Sequence, residues 1–506
     1  MPTMKTPGVY IVEENAFPNS VVQVPSSIAA FVGYTERVLH GMTPLLNRPT
    51  LVKSMAQFVE YFGARYLPSF KILTEGEALL NPLVENDPLP QAVFKTKGAT
   101  YQLVEQGVPF GLFEAVQHFF QNGGGECYVV SVGDFNAEAI DPEALKAGIK
   151  ALEKEKEPAL LVVPETTRLS ASEAISVQQD MLEHCGVKVK NRFAILDMHG
   201  GYKPLDEDPV EDFRSALNSD FLSSGAVYYP WVHSTLSQPR QFSFSNLEKA
   251  SWPLLVDLLK ASLSTPDAAK TVEIERILTS SQAADDPSHD TLDMTLRAIA
   301  PLYTDIMEAL RARANSISPG AAMAGIMATV DGNRGVWKAP ANVSMSGVSA
   351  PLVPLSHAQQ DGLNVSTDGK SVNAIREFAG QGTLVWGART LAGNSLDWRY
   401  INVRRSVIMI QESIRCALAS LVFEPNSAAT WNTVSSMLDT FLTGVWKQGG
   451  LSGTTPHEAF NVSVGLGETM SPEDILEGRM FVQISLAIER PAEFITLSIE
   501  QQMQTA

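Results

Sequence analysis

The chain has 506 residues, 44% of them hydrophobic and 19% charged, which fits a globular protein with a large core and, at roughly 150 residues apiece, about three domains. Its formal net charge of −18 comes without any Lys/Arg block. Neither duplex nucleic acid nor an anionic membrane surface is therefore an expected partner, because both need basic groups to neutralise phosphate. Three well-separated cysteines, Cys127, Cys185 and Cys416, make no disulfide framework and fit a reducing compartment. The start shows no basic segment followed by an apolar one, and no uncharged apolar run nears the roughly 20 residues of a spanning helix. Cytoplasmic synthesis is expected, with no direct membrane insertion.

The first element in chain order is the strand pattern "GVYIVEEN" (8–15). No turn residues fold it back into a hairpin, and such an end frays unless something pairs with it. "SIAAFVGYTE" reads as a buried strand, and "SMAQFVEYFG" as a short helix with Met55, Phe58, Val59 and Phe62 on one side. Residues 64–108 read as an irregular, Pro-rich insertion. "FGLFEAVQHFFQN" is an amphipathic helix stopped by Gly123-Gly124-Gly125, and "CYVVSVG" a strand. "DPEALKAGIKALEKEKE" is a helix with Asp141 as N-cap and Pro142 in its first turn. Strand "PALLVVPE", a helix ending at Gly186, strand "RFAILDM", a helix near 209–218 and strand "GAVYYPWV" follow. This alternation predicts an α/β domain over 26–233, a parallel sheet covered on both faces.

Residues 234–316 switch to helix and are expected to be a helical insertion, with a kink at Pro301. A Gly/Pro/Asn-rich segment, "SPGAAMAGIMATVDGNRGVWKAPANV", leads into two long C-terminal helices. In the first, Val403, Val407, Ile410, Ile414, Leu418 and Leu421 share one face, with Arg404, Arg405 and Arg415 off it. The Arg404/Arg405 pair suits either an acidic partner or solvent. In the second, Trp431, Val434, Leu438, Phe441 and Val445 repeat the pattern, and Gly449-Gly450 closes the helix. Two strand patterns end the chain: Val482, Ile484, Leu486 and Ile488, then Ile495, Leu497 and Ile499, separated by Pro491. The overall class is α/β in the middle and α+β over the whole chain.

The usual chemical motifs are missing. "NGGGEC" follows a helix and precedes a strand, the reverse of a phosphate-binding loop, and lacks its Lys and Ser/Thr. "GLGETM" has no third glycine for a dinucleotide fingerprint, and "HEAFN" lacks the second His of a metalloprotease. "LDEDPVED" is not spaced as a calcium loop and reads as a solvated acidic loop. The best enzyme candidate is "DMHGG", which puts Asp197 and His199 at the carboxyl end of a parallel strand, where such folds hold ligands. No nucleophile, base and oxyanion hole assemble around it. No catalytic residue, metal site or cofactor is expected.

The segments "RGVWKAPAN" (334–342), "VWGART" (385–390), "DWRYINVRRS" (397–406), "FEPN" (423–426), "GGLSGTTPHEAF" (449–460) and "RPAEF" (490–494) come in one order. Together they resemble the contractile tail sheath proteins of phages, R-type pyocins and extracellular contractile injection systems. Upstream, "PGVYIVE", "FFQNGGGECYVV", "LLVVPE", "RFAILDM" and "VYYPW" are similar to that family in the same order. The helices at 234–316 exceed the family's usual link, residues 64–108 match nothing in it, and "FNVSVGLGE" departs from its more cysteine-bearing strand.

The resemblance implies a non-enzymatic structural subunit, with an arm at 1–25, a C-terminal sheath domain at 317–478 and strands with a second arm at 479–506. Both arms would leave their own subunit and complete a small sheet in neighbouring copies. The N-terminal strand would be about Val9–Glu14, carried by Val9, Tyr10, Ile11, Val12 and Glu13. The C-terminal one would be about Phe494–Glu500, carried by Phe494, Ile495, Thr496, Leu497 and Ile499. Val482, Ile484 and Leu486 would belong to the receiving sheet, although either of the last two strand patterns suits donation. Implied partners are copies of the chain in a helical polymer, an inner tube protein, and baseplate and terminal cap proteins. The tube contact is expected at the helix beginning "SPEDILEG", through Glu473 and Asp474. The particle would be assembled in a bacterial cytoplasm as a phage tail or a tail-like particle released from the cell.

Overall fold

The computed structural model describes residues 20–81, 84, 87–263, 268–280, 289–365 and 368–493. The apolar runs of the α/β region become neighbours in one nine-stranded sheet. Numbered in chain order, its strands are β1 (Ala29–Thr35), β2 (Thr50–Val52), β3 (Cys127–Asp134), β4 (Leu160–Val162), β5 (Phe193–Asp197), β6 (Gly225–Tyr229), β7 (Val343–Ser344), β8 (Asn373–Phe378) and β9 (Gly382–Trp386). The spatial order is β7-β9-β8-β6-β5-β4-β1-β3-β2. Strands β3, β1, β4, β5, β6 and β8 run parallel, with Ala29 opposite both Cys127 and Leu160, and Tyr228 opposite Asn373. Antiparallel β2 closes one edge, and β9 with β7 the other.

Every residue of β1 is buried, and the two-residue period sorts its side chains between two cores. Ala30 and Val32 join Val130, Leu161 and Leu196 on one face, under helices that include Pro142–Ala151 and Ala171–Glu183. Ala29 and Phe31 join Val129, Leu160 and Ile195 on the other, under Leu112–Gln121 and Gly320–Arg334. Each fully buried Val or Phe contributes about 1.5–3 kcal/mol, so this double burial is what holds the layers together.

Three features differ from the sequence expectations. Residues 64–108 are not irregular: Ser69–Thr74, Ala92–Thr96 and Ala99–Gln106 form an antiparallel sheet. Its hairpin turns on Lys97 and Gly98, both at positive φ (48° and 78°), the mark of a tight two-residue turn. This sheet shares one core with the helices of the 234–316 region, where Phe70, Ile72 and Leu103 pack with Leu255, Leu259, Ile277, Tyr303 and Ile306. The two expected insertions are therefore one body. Pro301 separates two helices, His289–Ile299 and Pro301–Ala314, instead of kinking one. Ala300 before it is extended, as a residue preceding proline prefers, and the proline opens the second helix.

The chain also divides elsewhere than at 316/317. One compact unit contains Pro25–Arg405 and residues 490–493; the other contains Ser406–Glu489 and residues 20–24. Strands β7, β8 and β9 complete the parallel sheet, and the Gly/Ala-rich segment is its covering helix Gly320–Arg334. Small residues there permit close helix packing: a Cβ on Gly325 would lie 2.5 Å from the Phe119 carbonyl oxygen.

In the smaller unit, helix Ala428–Lys447 buries Val434, Met437, Leu438, Phe441, Leu442 and Val445 along one face. It stops where Gly449 turns to positive φ (84°) and the Gly450 N–H bonds the Val445 carbonyl. Strands Phe460–Ser463 and Gln483–Leu486 form an antiparallel pair, with Asn461 opposite Ser485.

Candidate inter-subunit site

At the carboxyl edge of the parallel sheet, the position open to a ligand in many α/β proteins is filled by the chain itself. Just beyond β4, the fully buried Glu165 accepts hydrogen bonds from the N–H groups of Gly111 (3.1 Å), Leu112 (3.2 Å) and Tyr34 (3.4 Å). Gly111 and Leu112 open helix Leu112–Gln121, so the carboxylate sits where a bound anion would. Burial pushes the Glu165 carboxyl up to about 7, against the charge of Arg168 and those hydrogen bonds. Asp197, at the end of β5, accepts from the Gly320 N–H (2.8 Å) at the start of helix Gly320–Arg334. Burial raises it to about 6, against that bond, a second from Ser318 and the Arg168 charge. His199 bonds the Leu169 backbone instead of Asp197, and burial with the nearby Lys203 charge lowers its pKa. Asp197 and His199 are thus not brought together as an acid–base pair. Among the described residues no group of three or more His, Cys, Asp or Glu is placed to hold a metal.

A different set of polar side chains gathers where the chain approaches its two terminal segments. Near residue 26, Arg405 grips Asp331 with both prongs (3.0 and 2.6 Å) and donates to the Ser26 carbonyl (2.9 Å). The Ser26 hydroxyl donates to the same carboxylate (2.6 Å). Within the smaller unit, the Val24 N–H donates to the Ser413 hydroxyl (3.0 Å). Near residue 493, Arg389 forks onto Glu493 (Nε–Oε1 2.9 Å, Nη2–Oε2 2.5 Å), and Asn364 (3.2 Å) and Tyr400 (3.3 Å) add donors to that carboxylate. Burial works against ionisation of Glu493, yet the Arg389 guanidinium and these donors hold its carboxyl below the usual range. The Arg389 backbone is itself pinned by Asn373 on β8, which accepts from its N–H (2.7 Å) and donates to its carbonyl (2.8 Å).

Arg405 was expected off the packed face of its helix, but its side chain is only 3% exposed. Helix Ile401–Leu418 is buried on more than one side, with every residue from 401 to 410 buried except Arg404. Arg404 lies 5.1 Å over the Trp398 ring, and Arg415 pairs with Glu412. Sequence reasoning missed Arg389, Glu493, Asp331 and Arg405 as a functional set. The available signal was that "VWGART", "DWRYINVRRS" and "RPAEF" supply Arg389, Tyr400 with Arg405, and Glu493 to these clusters.

The strand pair Phe460–Ser463 and Gln483–Leu486 has no third strand among the described residues. Because the Ala487 N–H bonds the Ala459 carbonyl (2.8 Å), the antiparallel alternation turns Gln483 and Ser485 toward the partner strand. Val482, Ile484 and Leu486 then direct their N–H and C=O groups to the open side; Val482 sits just before the strand. The segments carrying Val9, Tyr10, Ile11, Val12 and Glu13, and Phe494, Ile495, Thr496, Leu497 and Ile499, lie outside the described residues. Glu473 and Asp474 stand in the first turn of helix Pro472–Leu476. Asp474 caps it reciprocally with Ser471 and pairs with Arg479 (3.0 Å), whereas Leu476 on the same turn is 87% exposed.

Residues 394–502 match the model of the phage tail sheath C-terminal domain family. Over 99% of its length the chain superposes on all of the contracted helical sheath protein of the anti-feeding prophage, solved by cryo-electron microscopy, with 26% identity and a TM-score of 0.60. The chain is similar to tail sheath proteins. The sheath of an extracellular contractile injection system, the PVC particle in its contracted state, has the same fold at 24% identity, covering 99% of both chains with a TM-score of 0.59. The tail sheath protein of Vibrio phage KVP40 is 28% identical over 180 residues, 35% of this chain. That match spans a quarter of the phage protein's length.

Proposed function

We propose that this chain is the structural subunit of a contractile sheath, polymerising helically around an inner tube and contracting to drive that tube through a target envelope. The observation that carries this reading is the two-stranded sheet of the smaller unit, with Val482, Ile484 and Leu486 turned to an open side. Two strands alone are marginal in water, and an exposed edge is a template for another chain. Donated strands from other copies, Val9–Glu14 and Phe494–Glu500, would complete it. The ten residue steps from Glu14 to Val24 can span up to about 33 Å when extended, enough to reach a neighbour. Head-to-tail exchange of this kind does not close a ring and so builds a helix.

Each donated strand contributes about four to six backbone hydrogen bonds at roughly 1 kcal/mol net. Such links, many times thermal energy, persist while the globular bodies rotate into a shorter, wider helix. The excess free energy of the extended state, summed over many copies, supplies the work in a bistable rigid-body transition. Further partners in this reading are the baseplate that triggers the change, a terminal cap, and the tube, met through Glu473, Asp474 and the exposed Leu476. The particle, a phage tail or tail-like injection particle, is assembled in the bacterial cytoplasm.

Deleting residues 1–15 tests the exchange. A folded, soluble subunit that forms no sheath by electron microscopy is expected; sheaths of normal length from that variant would overturn the reading.

A further inference from the structure

Several arginine–carboxylate pairs among the described residues are solvent-facing neighbours three apart on a helix, such as Arg276–Glu273, Arg311–Glu308 and Arg415–Glu412. Such pairs contribute little. Arg405–Asp331 and Arg389–Glu493 are different: two-pronged, joining segments 74 and 104 residues apart, the first buried on both sides and the second with a buried guanidinium on a half-buried carboxylate. Another buried cluster, Arg313 with Asp87 and Glu105, ties helix Pro301–Ala314 to the 64–108 region and lies at neither end of the chain. A buried ion pair is a poor way to gain stability, because desolvation offsets the attraction; what it fixes well is geometry. The guanidinium fork sets both the distance and the plane of the carboxylate it holds.

Both clusters sit at the points where the terminal segments begin. Glu493 immediately precedes Phe494, and Ser26 follows the Val24 held by Ser413. At the first point Arg389 is held through its own backbone by Asn373, so the carboxylate is tied to the central sheet. The distinction matters under load. A strand's hydrogen bonds are loaded in shear together when it is pulled along its axis and peel one by one when it is pulled across it, and a fixed root sets that direction.

We infer that Arg389 with Glu493, and Arg405 with Asp331 and Ser26, are anchors that fix where the two terminal arms leave the subunit and take up the load of contraction. Arg389 and Arg405 are positioning residues in this scheme: neither touches the exchanged partner, and each acts through the segment it holds. The inference rests on the sheath reading for the load, and on the structure alone for the fixed roots.

The experiment uses the full-length chain with Arg389→Lys, which keeps the charge and removes the fork, and Tyr400→Phe, which removes one donor and leaves no charge unpaired. Two readouts are taken beside the thermal midpoint of the unassembled subunit. The first is cleavage after Glu493 by a glutamate-specific protease, followed by mass spectrometry. Arg389→Lys should release residues 494–506 at least tenfold faster than the wild type, and Tyr400→Phe at an intermediate rate. The second is the length distribution of contracted sheaths, which should fall to short fragments in the same order. Unchanged cleavage, or wild-type sheath lengths after contraction in both variants, overturns the anchors. A wild-type chain that forms no sheath overturns the proposed function instead, while the cleavage rates still decide whether the C-terminal root is clamped. If Arg389→Lys fails to fold, Tyr400→Phe and Asn364→Ala carry the same comparison.

Discussion

Replacing Ile484 with proline attacks the open edge while sparing the strand pair that presents it. Ile484 turns its N–H and C=O away from strand Phe460–Ser463, whose ladder uses Gln483 and Ser485. Proline is tolerated on an edge strand when the missing N–H faces outward, so the subunit should fold. An incoming strand would lose the bond to residue 484 and, through crowding by the ring, a neighbouring one, about 2 kcal/mol together. Its own carbonyl facing the proline would be left without a donor, costing about 1 kcal/mol more. A loss of about 3 kcal/mol per link corresponds to roughly a hundredfold at 1.4 kcal/mol per decade. The concentration at which pelletable sheath first appears should rise by at least that factor, measured by centrifugation across a dilution series. Ile484→Ala is the control, because it removes the half-buried side chain and keeps the N–H. Assembly of the proline variant at the same threshold as the alanine variant would refute the edge as the receiving surface.

Stability should fall with pH through Glu165. Its carboxyl is raised from 4.5 to about 7 in the folded chain, so its contribution is fully present below pH 4.5 and is lost as pH rises through 7. At 1.36 kcal/mol per unit the difference is about 3 kcal/mol. Urea unfolding of wild type and Glu165→Gln at pH 5, 6, 7 and 8 should therefore give curves that diverge with pH, and parallel curves would dismiss the reading. At the proposed tube contact, the double change Glu473→Lys and Leu476→Asp should leave sheath subunits folded but reduce their cosedimentation with purified tube about tenfold or more; unchanged cosedimentation would place the contact elsewhere.

The parallel core was legible because strands such as "PALLVVPE" and "RFAILDM" are apolar on both faces, a pattern that only a doubly covered sheet produces. Helix caps were legible for the same local reason, as at Asp141, whose side chain accepts from the Glu143 N–H. What escaped was set by distant partners. Helix Gly320–Arg334 lies in a Gly/Pro/Asn-rich segment to which the sequence assigns no element, and its Gly325 leaves the space that a neighbouring helix takes. The hairpin at Lys97-Gly98 lacks the usual Asn-Gly signal, and its strands are stabilised by helices more than a hundred residues away. In the candidate site, the strand carrying Val482, Ile484 and Leu486 was legible from simple alternation, but the open side of its backbone was not, because that is set by the Ala487 N–H bond to the Ala459 carbonyl. The Arg389–Glu493 contact has no local signature, since charge on a helix or loop looks alike whether it faces solvent or a half-buried carboxylate 104 residues on.

The carboxylates of Glu165 and Asp197 occupy two helix starts at the business end of the parallel sheet. Enzymes on related scaffolds breathe there, shutting over a cofactor and reopening. Here the strand ends are tied to the helices packed on them by polar contacts as well as by the apolar core, so sheet and helix layers are fastened at that end without any bound molecule.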